Sequence, residues 1–291
     1  MVKKISELYM EARRALLQTE DEDTAGFYAR NLLCHYTQKT QEQIIADREM
    51  YASEATCEAM QKAVARIANG EPLAYILEEW DFYGMRLHIN SNVLIPRDDT
   101  CAVTALAIKQ ALFLDKDPRI LDLCTGSGCI GLAIAHKVKD ARITLADVSM
   151  DALAVARKNV SAQKLGARVS CVKADALQTP PAFLGKFDLI VSNPPYITRR
   201  EMLELPRSVK AFEPRLALYG GEDGLEFYRS IAKEYQNVLK PRGFLCFEFG
   251  MGQGDDVCAI LEENGYTILE RVNDFNDRER AVLAQLSRKE D

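Results

Sequence analysis

The chain has 291 residues, 47% of them hydrophobic, and a net charge of −6. That apolar share supports a filled core and excludes wholesale disorder, while the length suits one large α/β domain with a smaller companion. The acidic balance makes nucleic-acid binding an unfavoured reading; no run approaches the ~20 apolar residues of a membrane span, and the charged, amphipathic start has no signal-peptide core, so a cytoplasmic protein with no membrane partner is expected.

Residues 1–78 read as a small helical domain. Ile5, Leu8, Tyr9, Ala12 and Leu16 recur at helical spacing, and Thr40 with Gln43 has the form of a capping box opening the helix that carries Ile44 and Ile45. Cys57, Met60, Val64, Ile67 and Ala68 fall on one helical face, which Asn69-Gly70 terminates. Over residues 79–97 the period changes. Trp80 to Tyr83, then Met85, Leu87 and Ile89 alternating with Arg86, His88 and Asn90 about Gly84, predict a β-hairpin, followed by a Leu94-Ile95-Pro96-Arg97 linker. Trp80, Phe82 and Tyr83 read as packing aromatics, and Asp98 or Asp99 is placed to cap the next helix.

Residues 98–291 read as one α/β domain. Strands are predicted at 119–123, 142–146, 168–173, 187–192, 243–249, 266–271 and 280–286, with helices between the first five and another at 253–264. Strands spaced by helices imply a parallel, doubly wound, Rossmann-like sheet. Only Asn273 to Arg278 joins the last two strands, so they are expected to pair antiparallel at one edge. Seven strands with a terminal hairpin are the layout of class I methyltransferases. The eight cysteines form no CxxC pair and there are three histidines, so no metal site is expected and the thiols read as small hydrophobes in a reducing compartment.

From Ile120 to Gly131 a buried strand runs through a glycine-bearing loop into a helix. Gly126 and Gly128 permit a tight turn and close approach of a ligand, and with Gly131 they spell GxGxxG. Asp147, ending the second strand, is placed to grip a ribose diol. On spacing alone a nicotinamide-dependent dehydrogenase is a rival. Two acids favour S-adenosylmethionine: Asp122, before the glycines, suits a cationic methionine end and would repel a pyrophosphate, and Asp175, ending the third strand, can accept from an adenine amino group. Each acid alone is more often an ordinary strand-end cap; their conjunction with the glycine loop points to a ligand.

Asn193-Pro194-Pro195-Tyr196 follows the fourth strand directly, on the side of the sheet where ligands bind. The prolines stiffen the turn, so the Asn193 side-chain oxygen and the Pro194 carbonyl can take both protons of a planar –NH2 group, with the Tyr196 ring against its face. An amide nitrogen is a poor nucleophile, and orientation with charge stabilisation is the lever available for alkylating it. A proline-rich turn that merely ends a strand is the plainer alternative. The tetrapeptide specifies a planar nitrogen, leaving amides and exocyclic base amino groups both open.

The chain resembles the HemK-type glutamine N(5)-methyltransferases that modify peptide-chain release factors. The likeness covers nearly the whole chain: Pro72 to Ile76, Phe82-Tyr83-Gly84, Leu94 to Arg97, Leu121 to Ile130, Asp147-Val148-Ser149, Ser192 to Ile197, Phe212 to Leu218, Gly220 to Leu225, and Glu248-Phe249-Gly250 with Gln253. The stretches at 94–97 and 212–225 are the more particular ones. The resemblance implies S-adenosylmethionine as cofactor, held at Cys124, Thr125, Gly126, Ser127, Gly128, Asp147, Val148, Ala176 after Asp175, and Asn193. It implies glutamine binding by Asn193 to Tyr196, and a release-factor substrate methylated in its Gly-Gly-Gln loop and docked by the helical domain; a monomer is expected. The chain departs from the family at Asp98-Asp99-Thr100-Cys101, where Pro-Glu-Thr-Glu is usual, and at Glu78 and near Asp277, where glycine is expected. A ribosomal-protein glutamine or a nucleic-acid base amino group are alternative targets, the second kept open by Arg199, Arg200, Arg207, Lys210 and Arg215, which read equally as a solvated loop.

Overall fold

Helical periodicity at the start of the chain becomes five helices in the computed structural model, which describes residues 2–287. Met1 and Arg288 to Asp291, the outermost residues of the expected domains, lie outside that range. The helices are α1 (Ile5–Leu16), α2 (Glu22–Thr37), α3 (Gln41–Ala46), α4 (Glu54–Ala68) and α5 (Leu73–Leu77). Asp21, Thr40 and Ser53 cap α2, α3 and α4 by accepting from the backbone N–H of Thr24, Gln43 and Thr56, and Thr40 with Gln43 completes a capping box. Leu8, Leu16, Leu32, Leu33, Met60 and Ile67 are among the side chains buried here. The buried face of α4 is Met60, Ala63 and Ile67; the expected Ala68 is exposed, as is Ile45 on α3, since a helix this short buries only one apolar stripe.

The hairpin follows as β1 (Glu79–Phe82) and β2 (Met85–His88), paired antiparallel with Phe82, Met85 and Leu87 buried. Next comes α6 (Thr100–Leu112). Its N-cap is Asp99, but neither expected aspartate caps it through a side chain: Asp99 sits in helical conformation and turns its carboxylate to Arg280, 3.1 Å away. Then come β3 (Arg119–Leu123), α7 (Cys129–Lys137), β4 (Arg142–Asp147), α8 (Met150–Ala162), β5 (Val169–Lys173), β6 (Phe187–Ser192), α9 (Glu201–Glu204), α10 (Arg207–Phe212), α11 (Glu226–Glu234), β7 (Leu239–Glu248), α12 (Gly254–Glu263), β8 (Tyr266–Asn273) and β9 (Glu279–Leu286). The helix expected between β5 and β6 is absent. Pro180 and Pro181 remove two backbone donors there, and only a 3-10 turn at Ala182–Leu184 forms.

The sheet order is β5-β4-β3-β6-β7-β9-β8, with the first five strands parallel and β9 antiparallel to both neighbours. Strands β3 and β6 are buried almost throughout because helices cover both faces, whereas the edge strand β8, after the buried Tyr266, alternates exposed and half-buried positions. Leu121, Phe187, Ile190, Tyr228, Tyr235, Phe247 and Phe249 belong to one apolar cluster.

By its contacts the chain falls into two compact units. One comprises residues up to Glu78 together with Arg207–Phe212, so α10 groups with the N-terminal helices; the other comprises Glu79–Pro206 and the chain from Glu213 onward. Glu78, where a glycine is expected, and Asp277, near the other expected glycine, are both left-handed, at φ 56° and φ 58°. Asp277 is the milder departure, because aspartate tolerates this region and its Oδ1 accepts from Asn273 Nδ2 at 2.7 Å.

Gly131 lies on α7 against β4. A Cβ there would fall 2.3 Å from Leu145 Cδ2 and 3.0 Å from Asp122 Oδ2. Gly131→Ala is expected to cost about 1–3 kcal/mol of unfolding free energy by overpacking, measured by urea denaturation.

Candidate functional site

The strand order reverses at β3, which has β4 on one side and β6 on the other. Connections leave in opposite directions there, and a crevice opens beyond the carboxyl ends of the strands. It is lined by Cys124 to Ser127, Asp147, Val148, Asp175, Ala176, Asn193 and Pro195. The structure thus brings together most of the residues expected from the sequence. It adds walls that motif reasoning missed, notably Asn92 to Leu94 and Pro96 from the linker, Thr100, Pro214, Leu216, Ala217 and Phe227.

The loop after β3 is built to leave room. Gly126 sits at φ 54°, and a Cβ on it would meet no protein atom within 4 Å, so the missing side chain is open crevice. Its N–H donates to Asp147 Oδ2 at 2.9 Å, while Ser149 N donates to Oδ1 at 2.9 Å. An ionised carboxylate offers about four acceptor sites, so Asp147 keeps lone pairs for a ligand. Burial raises its pKa above the ordinary carboxylate value, opposed by those backbone donors. Gly128, at φ 86°, is the N-cap of α7 and packs toward Leu145 instead of lining the crevice. Cys124 lines it from a left-handed backbone at φ 61°, and burial keeps its thiol protonated. On β5's far end, Asp175 Oδ1 accepts from Leu177 N at 2.9 Å, and Tyr235 and Ser230 hydroxyls donate to the carbonyls of Asp175 and Ala176.

Asp122 is not where a direct ligand contact requires it. It is fully buried beneath the loop and absent from the crevice lining. Its Oδ2 accepts from Thr125 Oγ1 at 2.6 Å and Gly131 N at 2.8 Å, while Oδ1 has no partner among the described residues. Burial pushes its pKa up to about 7, with those two donors opposing. The residue braces the loop against α7.

At the end of β6, Ser192 Oγ donates to Leu123 O at 2.6 Å, tying the two central strands. Asn193 and Pro195 reach the crevice; Pro194 is buried and Tyr196 packs against the apolar cluster. Asn193 Nδ2 donates to Thr100 Oγ1 at 3.3 Å, which turns Oδ1 away from Thr100. The turn is clamped from behind. Gln253 Nε2 donates to Tyr196 O at 3.1 Å and Gly224 O at 3.4 Å, and Gln253 Oε1 accepts from Gly250 N at 2.8 Å. Gly224 permits this close approach, since a Cβ there would lie 2.3 Å from Tyr196 O. Glu248, ending β7, is 2% exposed beneath the turn, and burial pushes its pKa up to about 7, against hydrogen bonding from Thr100 and the charge of Arg280. Gln253 and Glu248 were visible in the sequence only as parts of a family signature.

The basic residues after the turn are largely engaged. Arg199 pairs with Glu222 at 2.9 Å, Arg200 with Glu204 at 3.5 Å, and Arg215 lies over the Tyr219 ring. Among the described residues no group of three His, Cys, Asp or Glu side chains could hold a metal, and no helix is long and apolar enough to cross a membrane.

The family described as Methyltransferase small domain matches residues 101–207, and the PrmC N-terminal domain matches residues 7–77. The release factor glutamine methyltransferase of Clostridium acetobutylicum is 37% identical over 284 residues, covering 97% of this chain and 98% of that protein. Its counterpart in Chlorobaculum tepidum is 38% identical over 271 residues, covering 90% and 92%. In fold, a methyltransferase from Pyrococcus furiosus matches with a TM-score of 0.53 at 18% identity, over 78% of this chain and 99% of that one.

Asp122 and Glu248 both have folded-state pKa values raised to about 7, above their ordinary carboxylate values. A raised carboxyl favours the folded state when protonated, so the contribution is complete below the unfolded pKa and is lost as pH rises through about 7. Unfolding free energy from urea titration is expected to fall between about pH 4 and about pH 7 and to level off above that, with each group contributing on the order of 1 kcal/mol per pH unit at most.

Proposed function

The chain belongs to the release factor glutamine methyltransferase family, and from that membership we propose that it methylates the side-chain amide nitrogen of the glutamine in the Gly-Gly-Gln loop of a peptide-chain release factor, in support of translation termination. S-adenosylmethionine is the methyl donor. The observation that carries the reading is the meeting of the glycine loop after β3 with Asn193 at the mouth of one crevice.

The residues present fit the cofactor. Gly126 leaves open space where a side chain would stand, and Asp147 retains acceptor capacity for a diol beside it. We assign the ribose hydroxyls to Asp147, the adenine to the Val148 and Asp175-Ala176 side, and the methionine end to the loop Cys124 to Gly128. Asp122 acts through that loop as its brace. Bound there, S-adenosylmethionine supplies an electrophilic methyl group on a positively charged sulfur.

Asn193 Oδ1 and the Pro194 carbonyl are assigned to the two amide hydrogens of the substrate glutamine. Two acceptors on the hydrogens keep electron density on nitrogen and fix the direction of its lone pair; orientation of this kind is the largest lever for a weak nucleophile. The hydrogen bond from Asn193 Nδ2 to Thr100 supports this assignment, because it leaves the oxygen end of the amide for the substrate. Pro195 stiffens the turn, and Tyr196 gives the glutamine amide a ring to pack against while its carbonyl anchors the turn to Gln253.

Docking of the release factor is assigned to the helical unit, where Ile45, Met50 and Tyr51 stand 71%, 61% and 66% exposed. The proposal includes a monomer working in the cytoplasm, where a release factor meets its enzyme. A base-methylating reading is less favoured, since Glu222 and Glu204 offset the charge of Arg199 and Arg200.

Incubation with labelled S-adenosylmethionine is expected to label a release factor and not its Gln→Ala loop variant; label on RNA or DNA alone would overturn the substrate. Asn193→Ala should lower kcat by roughly 10²–10³-fold while the cofactor Kd, from equilibrium titration, moves little. Asp147→Ala should weaken cofactor binding by roughly 10–100-fold, as expected for a lost charge-assisted hydrogen bond.

A further inference from the structure

The linker between β2 and α6 has no strand or helix of its own, yet Asn92, Val93, Leu94 and Pro96 in it line the cofactor crevice. Such a segment keeps its place only through the groups that bond it from outside. At its start, Asn159 on α8 is fully buried and uses both ends of its amide. Its Oδ1 accepts from His88 N at 2.6 Å, while Nδ2 donates to His88 O at 3.0 Å and Ser127 O at 2.9 Å. That end of the linker is therefore tied to the cofactor loop. At the other end, Ile95 N donates to Glu213 Oε2 at 3.3 Å, and Arg97 Nη2 donates to Glu213 Oε1. The Glu213 side chain is 1% exposed, so its charge is removed from water and Arg97 is a cation held against it.

We propose that Glu213 is a positioning residue for the methyl donor: it fastens the linker as a strap along the crevice, and this clasp sets how long S-adenosylmethionine stays bound. The inference rests on S-adenosylmethionine as the donor and not on the identity of the substrate. Both oxygens of the carboxylate are committed, one to a backbone N–H and one to a guanidinium two residues further on. A carboxylate can accept at both places at once, which an amide of the same shape cannot. A buried ion pair adds little net stability over apolar groups of similar volume, whereas its geometry specifies a position.

Glu213 also stands where two walls meet. Directly after it, Pro214, Leu216 and Ala217 line the same crevice. The segment then pairs with the exit of the substrate turn, through Ile197 N to Leu218 O and Gly220 N to Ile197 O, each 2.9 Å. The bonds that hold Gly126, Asp147 and Asn193 involve neither Glu213 nor Arg97. Releasing the clasp thus loosens the linker wall and leaves the ribose acid and the amide acceptor in place. The loss is expected in cofactor dissociation and cofactor KM, with the methyl-transfer step itself little affected.

The test measures S-adenosylmethionine Kd by equilibrium titration and koff by stopped flow, with melting curves to verify folding. It compares wild type, Glu213→Gln, Arg97→Met, Arg97→Lys and the Glu213→Gln/Arg97→Met double variant. Kd is expected to rise by about tenfold in Glu213→Gln and in Arg97→Met, carried by koff, with the double variant within about twofold of the larger single effect. Arg97→Lys, which keeps a cation opposite Glu213, should recover most of the affinity. In turnover, cofactor KM should rise in step while kcat at saturating cofactor stays within about threefold. Bound S-adenosylmethionine should slow hydrogen exchange at the Ile95 amide in wild type and lose that effect in Arg97→Met. Unchanged Kd and koff in Arg97→Met, whose side chain is 43% exposed and so tolerates replacement, overturn the inference. So does a double variant whose effect is the product of the two singles, or a fall in kcat with cofactor Kd unmoved. If wild type binds S-adenosylmethionine but labels no release factor, the substrate reading fails and the clasp stands.

Discussion

The reversal of strand order at β3 is the constraint from which the rest of the site follows. With β4 on one side and β6 on the other, the connections after neighbouring strands diverge, and no backbone fills the space between them. The ends of β3, β4, β5 and β6 then present the glycine loop, Asp147, Asp175 and Asn193 to one crevice, although these residues span 124 to 193 in the chain. Two short ties keep the strand ends level: Ser192 Oγ to Leu123 O across the centre, and Gly126 N to Asp147 Oδ2 across the loop.

A weakly nucleophilic amide demands rigidity from its acceptors, and the structure supplies it from beneath. The turn after β6 has no strand partner along Pro194 and Pro195, so its register depends on what packs against it. Gly224 admits the Tyr196 carbonyl at a distance no side chain would allow, and Gln253 bonds that carbonyl while closing on Gly250. Below them lie carboxyl groups that burial holds near neutrality, Asp122 under the cofactor loop and Glu248 under the substrate turn.

The sheet and the crevice were legible in the sequence because their signals are local. An apolar run that ends in Asp122, Asp147, Asp175 or Asn193 marks both a strand and the residue at its carboxyl end. What stayed hidden depends on long-range packing. Nothing local distinguishes Thr100 from an ordinary helix-start threonine, or Glu248 from a strand-end acid, until β7 and α6 are placed beside the turn. Asp122 is a similar case: its position before the glycines is readable in the sequence, but its burial beneath Thr125 and Gly131 is not. The missing helix between β5 and β6 has a local cause instead: Pro180-Pro181 outweighs the strand–helix alternation of a doubly wound sheet.

The left-handed residues show how far this chain can depart from its family without losing the site. Glu78, Cys124 and Asp277 all stand at φ between 56° and 61°, each a strain on the order of 1 kcal/mol for a residue with a Cβ. Asp277 recovers part of it through its bond from Asn273, and it lies in an exposed turn. Cys124 cannot, because it is in the cofactor loop itself. Its side chain instead packs against the apolar cluster behind the sheet, so the loop is anchored at its first residue while Gly126, two positions on, stays open. Strain at one position and emptiness at the next serve the same end: a loop held firmly enough to present its backbone to a ligand, with nothing of its own in the space the ligand needs.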